Sequence, residues 1–172
     1  MKSFFELAKN RYSVRAYKDT PVEEEKLQKI LEAGLLAPTA KNCQPQKIYV
    51  VKSEEKRRRL AEVTPCTFNA PVIFVICYDE SRACKGKVYP GYDFGNTDAA
   101  IAGTHMMLEA ADLGIGSCWV GWFSEDEVKQ ALGLPENIRV CELMPVGYAA
   151  ENAKPAPMHG ISRSLEDVVE VI

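Results

Sequence analysis

The stretch 71–78, PVIFVICY, is apolar at odd and even positions alike. Successive side chains of a strand point to opposite faces of a sheet, so this run predicts a strand that is covered on both faces. The run 47–52, KIYVVK, is rich in β-branched and aromatic residues and predicts a second strand. Further strands are predicted over 117–123 and 139–149. Helices must therefore cover both faces of this sheet.

The predicted helices lie between these strands. Apolar residues at helical spacing indicate helices over 3–10 and 164–172, and a charged surface helix over 54–63. The segment 97–113 is apolar nearly all round, which is typical of a helix buried in a protein or an oligomer. A helix over 124–133 opens on a capping box and ends at a glycine.

One more helix carries strong end signals. Thr20 is expected to cap it, Pro21 to occupy its first position and Glu23 to complete a capping box. The helix must stop before Pro38, because a proline disfavours helical backbone in the residue before it. The sequence as a whole predicts a single α+β domain over residues 1–172, with about four strands and helices on both sides.

Composition excludes several function classes. The chain has 172 residues, and Lys plus Arg (21) against Asp plus Glu (24) give a net charge of −3, which argues against a general nucleic-acid binder. The longest apolar run, 71–77, is far short of a membrane span, and the first residues carry no signal-peptide pattern. The six cysteines are scattered without a CxxC pair, which disfavours a zinc finger and a disulfide scaffold. We therefore expect a reducing cytoplasm.

The first candidate site is the stretch RYSVR at 11–15. In extended backbone the side chains of Arg11, Ser13 and Arg15 point the same way. Two guanidinium groups and a hydroxyl on one face suit a phosphate dianion, because arginine presents a planar fork of donors. The alternative is a solvated basic stretch beside a helix end, and spacing alone favours that alternative.

The second candidate is the segment 37–45, APTAKNCQP. Two prolines bracket small and amide residues, so this segment is not helical and its backbone can lie close to a flat ligand. The amides of Asn42 and Gln44 both donate and accept, which suits the edge of a heteroaromatic ring. The alternative is an ordinary loop with a proline stop.

The third candidate is the segment 114–122, GIGSCWVGW. No GxGxxG opens a helix after a first strand here, so a Rossmann fingerprint is excluded. A glycine in a strand, Gly121, indicates close approach of a ligand or backbone. Trp119 is either a core residue or a wall of that site. Arg163, near a predicted helix start, hints at a nearby anion or is a plain surface residue.

Other patterns carry less. Neither His105 nor His159 has partners at metal-ligand or triad spacing, so we expect no metal site and no catalytic side chain of that kind. The basic run 56–59 is most simply a solvated helix face, although a nucleic-acid module built on it is a rival hypothesis.

Taken together and in order, four segments resemble the FMN-dependent nitroreductase family: RYSVRAY at 11–17, LLAPTAKNCQPQ at 35–46, the Asp98 helix running into LGIGSCWVG, and MPVGY at 144–148. The resemblance covers roughly residues 3–172. It implies a nitroreductase-like α+β fold with a central mixed β-sheet flanked by helices. It also implies an intertwined homodimer with FMN at each interface.

The resemblance implies a cofactor-binding set drawn from four places in the chain. Residues 11–15 would hold the phosphate, ribityl chain and pyrimidine edge, and Arg163 would add a phosphate ligand. Residues 38–44 would reach the same flavin from the other subunit, and 119–121 would lie along the isoalloxazine with a backbone N–H near N5. The set is Arg11, Ser13, Arg15, Pro38, Thr39, Ala40, Asn42, Gln44, Trp119, Val120, Gly121 and Arg163.

The implied activity is ping-pong. NADH or NADPH reduces FMN, and an electron-poor small molecule such as a nitro compound or quinone is then reduced, so the flavin carries the chemistry. Many family members carry Glu where Gly121 stands, and the stretch 79–95 is short compared with the lid of longer relatives. Rival hypotheses are a flavin-binding protein without turnover, and a reductive dehalogenase or flavin-modifying enzyme on the same scaffold.

Overall fold

The computed structural model describes residues 3–86 and 91–172. Its α-helices are α1 Phe4–Asn10, α2 Glu24–Leu35, α3 Glu54–Val63, α4 Gly95–Asp112 and α5 Glu125–Leu132. Its strands are β1 Gln46–Val51, β2 Val72–Asp79, β3 Gly116–Ser117 and β4 Ile138–Gly147. Short 3₁₀ turns occupy Ala40–Asn42, Pro65–Thr67 and Pro157–Gly160. None of the helices in the described parts is long and apolar enough to cross a membrane.

The strands form one sheet in the order β1-β2-β4-β3, and each strand is antiparallel to its neighbour. A parallel bridge between Ser13 and Ser117 adds the segment after α1 to the edge of this sheet. The predicted α+β fold is confirmed. The sheet is mixed only through that one bridge among the described residues.

Strand β2 is buried on both faces, as its sequence predicts. Side chains at even positions from Val72 to Ile76 pack in a cluster with α2 and α4. Side chains at odd positions from Ile73 to Cys77 pack in a second cluster with α3 and α5. The molecule is therefore three layers thick. The sheet is the central layer, and its β3 edge carries the segment 11–15.

The capping box predicted at the start of α2 is wrong. The helix begins at Glu24 with Glu23 as its N-cap, and no side chain caps it. The Glu23 carboxylate instead accepts a hydrogen bond from the Tyr148 hydroxyl, which lies 2.6 and 2.9 Å from its two oxygens. The Glu23 carboxylate therefore bonds to Tyr148, which is distant in sequence, and not to the backbone of Thr20 as the capping box requires.

The strand predicted over 117–123 is mostly wrong as well. Only Gly116–Ser117 form a ladder with β4, and beyond them Val120 makes a single bridge to Leu143. The amide of Cys118 donates to the carbonyl of Pro145 at 3.2 Å. Proline has no N–H to donate in return, so the ladder is interrupted at this point.

The helix predicted over 164–172 does not form, and the segment holds only a turn. Its apolar side chains are exposed: Leu165 is 70% exposed and Val171 94%. A helix this short is marginal unless its apolar face is packed, and the apolar side chains of this segment are all more than half exposed. Of the loop predicted over 81–92, residues 87–90 lie outside the described residues, and Ala83 and Cys84 are buried rather than exposed.

Candidate functional site

The segment 11–15 runs along the sheet edge in extended backbone. Val14 is buried, and its amide donates to the carbonyl of Ser117 at 2.9 Å. A Cβ at Gly116 would lie 2.7 Å from the Val14 side chain, so the glycine lets the two backbones come together. That the Arg11 and Arg15 side chains share the side opposite Val14 stays a prediction from the alternation of side chains in extended backbone.

A half-buried tyrosine, Tyr17, holds this segment against β4. The Tyr17 hydroxyl lies 2.8 Å from the carbonyl oxygen of Val14 and 3.0 Å from that of Pro145. Burial raises the pKa of Tyr17, so the hydroxyl stays neutral and remains a donor. The backbone of Val14 is therefore held at its amide by Ser117 and at its carbonyl by Tyr17.

The cationic segment faces the 117–121 stretch. Burial raises the pKa of the Cys118 thiol, while the charge of Arg15, a hydrogen bond with the Ser13 side chain and the charge of Arg11 act in the opposite direction. Arg11, Ser13 and Arg15 therefore all lie near Cys118. Cys118 is a neighbour of the site that the sequence did not assign.

The two arginines are available to a ligand. Neither guanidinium forms a salt bridge with another described residue. Arg15 is exposed, and its Nη1 donates to the carbonyl of Ser13 at 3.2 Å. Two cations without an acidic partner, beside a hydroxyl, suit an anionic group of the phosphate type.

The loop 37–45 has a constrained backbone. Three of its residues have positive φ without being glycine: Lys41 (50°), Asn42 (54°) and Gln44 (49°). Such left-handed conformations cost about 1–3 kcal/mol each and persist only where the surroundings enforce them. They also concentrate at ligand-binding positions, which agrees with the predicted role of this loop.

Specific hydrogen bonds enforce that conformation. The buried carboxylate of Asp98, in the first turn of α4, accepts from the amide of Ala40 at 2.9 Å. The Thr39 hydroxyl accepts from the amide of Gln44 at 3.1 Å. The Gln44 side chain donates to Asn42 Oδ1 at 3.0 Å. The loop is anchored to the helix below it, and Pro38 lies exposed at its start.

Residues 119–121 continue along β4 as a narrow platform. Val120 is buried and exchanges two backbone hydrogen bonds of 3.0 Å with Leu143. The Trp119 ring lies against α4, where a Cβ at Gly103 would come within 2.9 Å of it. Gly121 is exposed. The exposed backbone of Gly121, beside the buried Val120, leaves room for a flat ligand.

The structure adds Glu142 to the site, a residue that the sequence analysis missed. Its Oε2 lies 3.7 Å from the position that a Cβ on Gly121 would occupy. Burial raises the pKa of Glu142 to about 7, and a hydrogen bond with the Trp119 side chain opposes that rise. A lone acidic residue in the otherwise apolar run 140–147 was the signal that could have identified it.

Within one chain the predicted residues fall into separate groups. Residues 11–15 pair with Ser117, just before the 119–121 stretch, whereas no hydrogen bond or salt bridge among the described residues joins either group to the loop 38–44. Arg163 lies in the exposed tail, where its guanidinium donates to the carbonyl of Asp167. The cleft beside Arg11 and Ser117 measures about 200 Å³. Neither Arg15 nor residues 119–121 line this cleft, so it is distinct from the predicted flavin site.

The chain is similar to known proteins along most of its length. The sequence profile described as the nitroreductase family matches residues 8–66 and 64–148. A protein of Archaeoglobus fulgidus, named provisionally as an NADH dehydrogenase/NAD(P)H nitroreductase, is 35% identical over 157 residues, which are 86% of this chain and 86% of that protein.

Solved structures agree with the sequence comparison. A nitroreductase family protein of Clostridium difficile has a TM-score of 0.91 and 32% identity, with 98% of each chain covered. A second protein of that species, an FMN-dependent nitroreductase, has a TM-score of 0.76 and 30% identity, with 93% of this chain and 98% of that one covered. The chain belongs to the nitroreductase family.

Proposed function

We propose that this protein is an FMN-dependent NAD(P)H oxidoreductase that reduces nitro compounds, quinones or similar electron-poor acceptors. The observation that carries the proposal is the segment with Arg11, Ser13 and Arg15, which pairs with Ser117 at the sheet edge and whose two arginines form no salt bridge with another described residue. The names of the Archaeoglobus and second Clostridium proteins, which mention NAD(P)H and FMN, support it.

The residues present fit the cofactor. Arg11 and Ser13 would bind the phosphate and ribityl chain, with Arg163 as a further phosphate ligand. Residues 119–121 would support the ring, and a backbone N–H would lie near N5. Bound FMN would accept a hydride from NAD(P)H and pass it to the acceptor, which the side chains alone cannot do.

Arg15 has a distinct part in this proposal. We assign it to the pyrimidine edge of the ring, where negative charge accumulates on reduction. A fixed cation there stabilises the charge without reorganisation. The guanidinium donates to the carbonyl of Ser13 at 3.2 Å, which limits the conformations of this exposed side chain. Arg15 would therefore raise both the affinity for the cofactor and its reduction potential.

We further propose that the active unit is a homodimer in which the loop 38–44 of one subunit covers the flavin of the other. Two observations support this. The loop is held in its conformation by contacts within its own chain, with no hydrogen bond or salt bridge to the described residues 11–15, and large apolar side chains are exposed at both ends of the chain and at the end of α2. They are Phe4, Phe5, Leu35, Leu36, Ile161, Leu165, Val168, Val169, Val171 and Ile172.

The visible spectrum of the purified protein tests the cofactor. We expect a yellow protein that releases FMN on denaturation, and oxidation of NADH or NADPH that depends on an added nitroaromatic or quinone. Arg11→Ala should weaken FMN binding, whereas Arg58→Ala, which removes an exposed arginine paired with Glu62 on α3, should leave it unchanged. A protein that stays colourless after reconstitution with excess FMN contradicts the proposal, and bound FMN without turnover would favour a carrier.

A further inference from the structure

The stretch 119–121 leaves the sheet directly after its contact with β4. Val120 exchanges two backbone hydrogen bonds of 3.0 Å with Leu143, and after it no further bridge joins the stretch to β4 among the described residues. The carbonyl oxygen of Trp122 instead accepts a hydrogen bond of 2.7 Å from the Thr64 hydroxyl. A side chain 58 residues away therefore binds this backbone at the point where the ladder ends.

The Thr64 side chain is itself held in one orientation. Thr64 lies between α3 and the 3₁₀ turn Pro65–Thr67, and it is 2% exposed. Its amide donates to the carbonyl of Leu60 at 3.0 Å, and its hydroxyl accepts from the amide of Cys66 at 3.2 Å. A hydroxyl has a single hydrogen to donate, and the Trp122 carbonyl takes it. Both roles of the hydroxyl are therefore filled, which fixes the direction of the bond to Trp122.

The bond from Thr64 restrains a residue that has few other contacts. The Trp122 indole is 82% exposed, so packing of the side chain does not hold it. In the parts of the chain that the structure describes, Trp122 forms no other hydrogen bond. The next residue, Phe123, packs against the cluster between the sheet and α3 and α5, and Ser124 caps α5. Thr64 therefore sets the path of the backbone between the fixed residues Val120 and Phe123.

An amide without a partner lies on that path. In an antiparallel pair the residues that bond to the facing strand alternate with residues that do not, so Val120 faces β4 and the N–H of Gly121 faces away from it. Gly121 is exposed, and its amide donates to no acceptor within the described ranges. The amide of Val120 is already bonded to Leu143. Gly121 therefore carries a free donor whose position depends on the bond between Thr64 and Trp122.

We propose that Thr64 is a positioning residue for the flavin, which directs the Gly121 amide to N5 by holding the Trp122 carbonyl. The inference rests on the proposed function, since it concerns the same cofactor site. A donor is effective when its supporting residues hold it within about 0.5 Å and 10–20° of the productive geometry. Thr64 meets that need through the backbone, without contact with the cofactor.

A first experiment needs no cofactor. The chain has two tryptophans, so incorporation of fluorotryptophan gives two fluorine resonances in the NMR spectrum, which Trp122→Phe assigns. Thr64→Val keeps the shape of the side chain and removes its hydroxyl. We expect the Trp122 resonance to shift and narrow in Thr64→Val, that of Trp119 to stay in place, and Thr64→Ser to restore the wild-type spectrum. A Trp122 resonance that stays in place in Thr64→Val overturns the inference.

Thr67→Val is the matched control. Thr67 is 4% exposed, lies on the same turn as Thr64, and forms no hydrogen bond with residues 119–122 in the described structure. The variant should leave both fluorine resonances unchanged. Thr64→Ala removes the same hydroxyl and gives the same test if Thr64→Val does not fold. Equal shifts of the Trp122 resonance in Thr67→Val and Thr64→Val would mean that general packing sets its position, which overturns the role of the hydroxyl.

A second experiment uses protein loaded with FMN that carries an isotopic label at N5. The N5 resonance should move in Thr64→Val, because the amide is displaced, and stay in place in Thr64→Ser and Thr67→Val. The dissociation constant of FMN should rise about threefold to tenfold in Thr64→Val, the equivalent of one hydrogen bond. An N5 resonance that does not move in Thr64→Val overturns the positioning role alone. A wild-type protein that binds no FMN overturns the proposed function and this role with it.

Discussion

Strand β2 and the tail 161–172 both carry several large apolar side chains, yet these side chains lie in opposite surroundings. In β2, Phe74 and Val75 are fully buried, one on each face of the sheet. In the tail, Leu165 and Val171 are 70% and 94% exposed. The strand finds its covering helices within the chain, and the tail does not. An apolar pattern therefore predicts that a surface will be buried, but it does not say whether the same chain buries it.

The largest effect should come from the strand. Phe74→Ala removes a fully buried aromatic side chain between α4 and the sheet. We expect a loss of about 3–5 kcal/mol in the free energy of unfolding, measured by urea denaturation, because the cavity cannot collapse. Val171→Ala, at an exposed position, should change it by less than about 0.5 kcal/mol. Equal losses in both variants would show that the comparison is mistaken.

The tail should act on association instead. Leu165→Ala is expected to weaken the proposed homodimer by about 2 kcal/mol, roughly 30-fold in its dissociation constant, because an exposed leucine loses its contact with the second chain. Sedimentation velocity over a range of concentrations measures this. The unfolding of the dilute monomer should not change, and a destabilised monomer would mean that the tail packs on its own chain.

Arg15→Ala tests the same comparison at the candidate site. Like the tail, Arg15 is exposed, but it is charged rather than apolar. We expect about 1.5 kcal/mol weaker FMN binding, roughly tenfold, because one charge-assisted hydrogen bond is lost. The two-electron potential should become more negative by about 30 mV. Titration of the bound flavin against a redox dye measures the potential. An unchanged potential at full occupancy would remove Arg15 from the pyrimidine edge.

The smallest effect concerns pH. The pKa of Glu142 in the folded chain, about 7, lies above the ordinary range of glutamate. The folded protein therefore binds more protons than the unfolded one between about pH 4.3 and 7, and stability falls as pH rises through that window. We expect a fall of about 1 kcal/mol, reduced from the full shift because the carboxyl is partly solvated. Urea denaturation of Glu142→Gln at pH 5 and 8 should not show it.

Local patterns in the sequence predicted most of the elements. The helix over 54–63 and the doubly buried strand β2 follow from periodicity and composition, which neighbours reinforce. The errors have long-range causes: Tyr148 takes the carboxylate that Thr20 was expected to engage, and Pro145 interrupts the β3 ladder. A local pattern contains neither Tyr148, 125 residues from Glu23, nor the proline that lies opposite Cys118 on another strand.

In the candidate site too, features set by local sequence could be predicted, and features set by contacts between distant segments could not. The alternation of Arg11, Ser13 and Arg15 could be predicted because extended backbone fixes it. Glu142 could not be placed, because its neighbour Gly121 belongs to another segment and their proximity depends on the register of β4. The roles of Arg163 and the loop 38–44 follow from family resemblance, and they remain predictions.

The left-handed backbone of Lys41, Asn42 and Gln44 has a kinetic consequence. Contacts within the chain, chiefly from Asp98 and Thr39, already set the shape of this loop. A segment that is ordered before it meets its target loses little conformational entropy on docking. The association of two subunits would then have the rate constant typical of rigid proteins, because no flexible segment has to change conformation first.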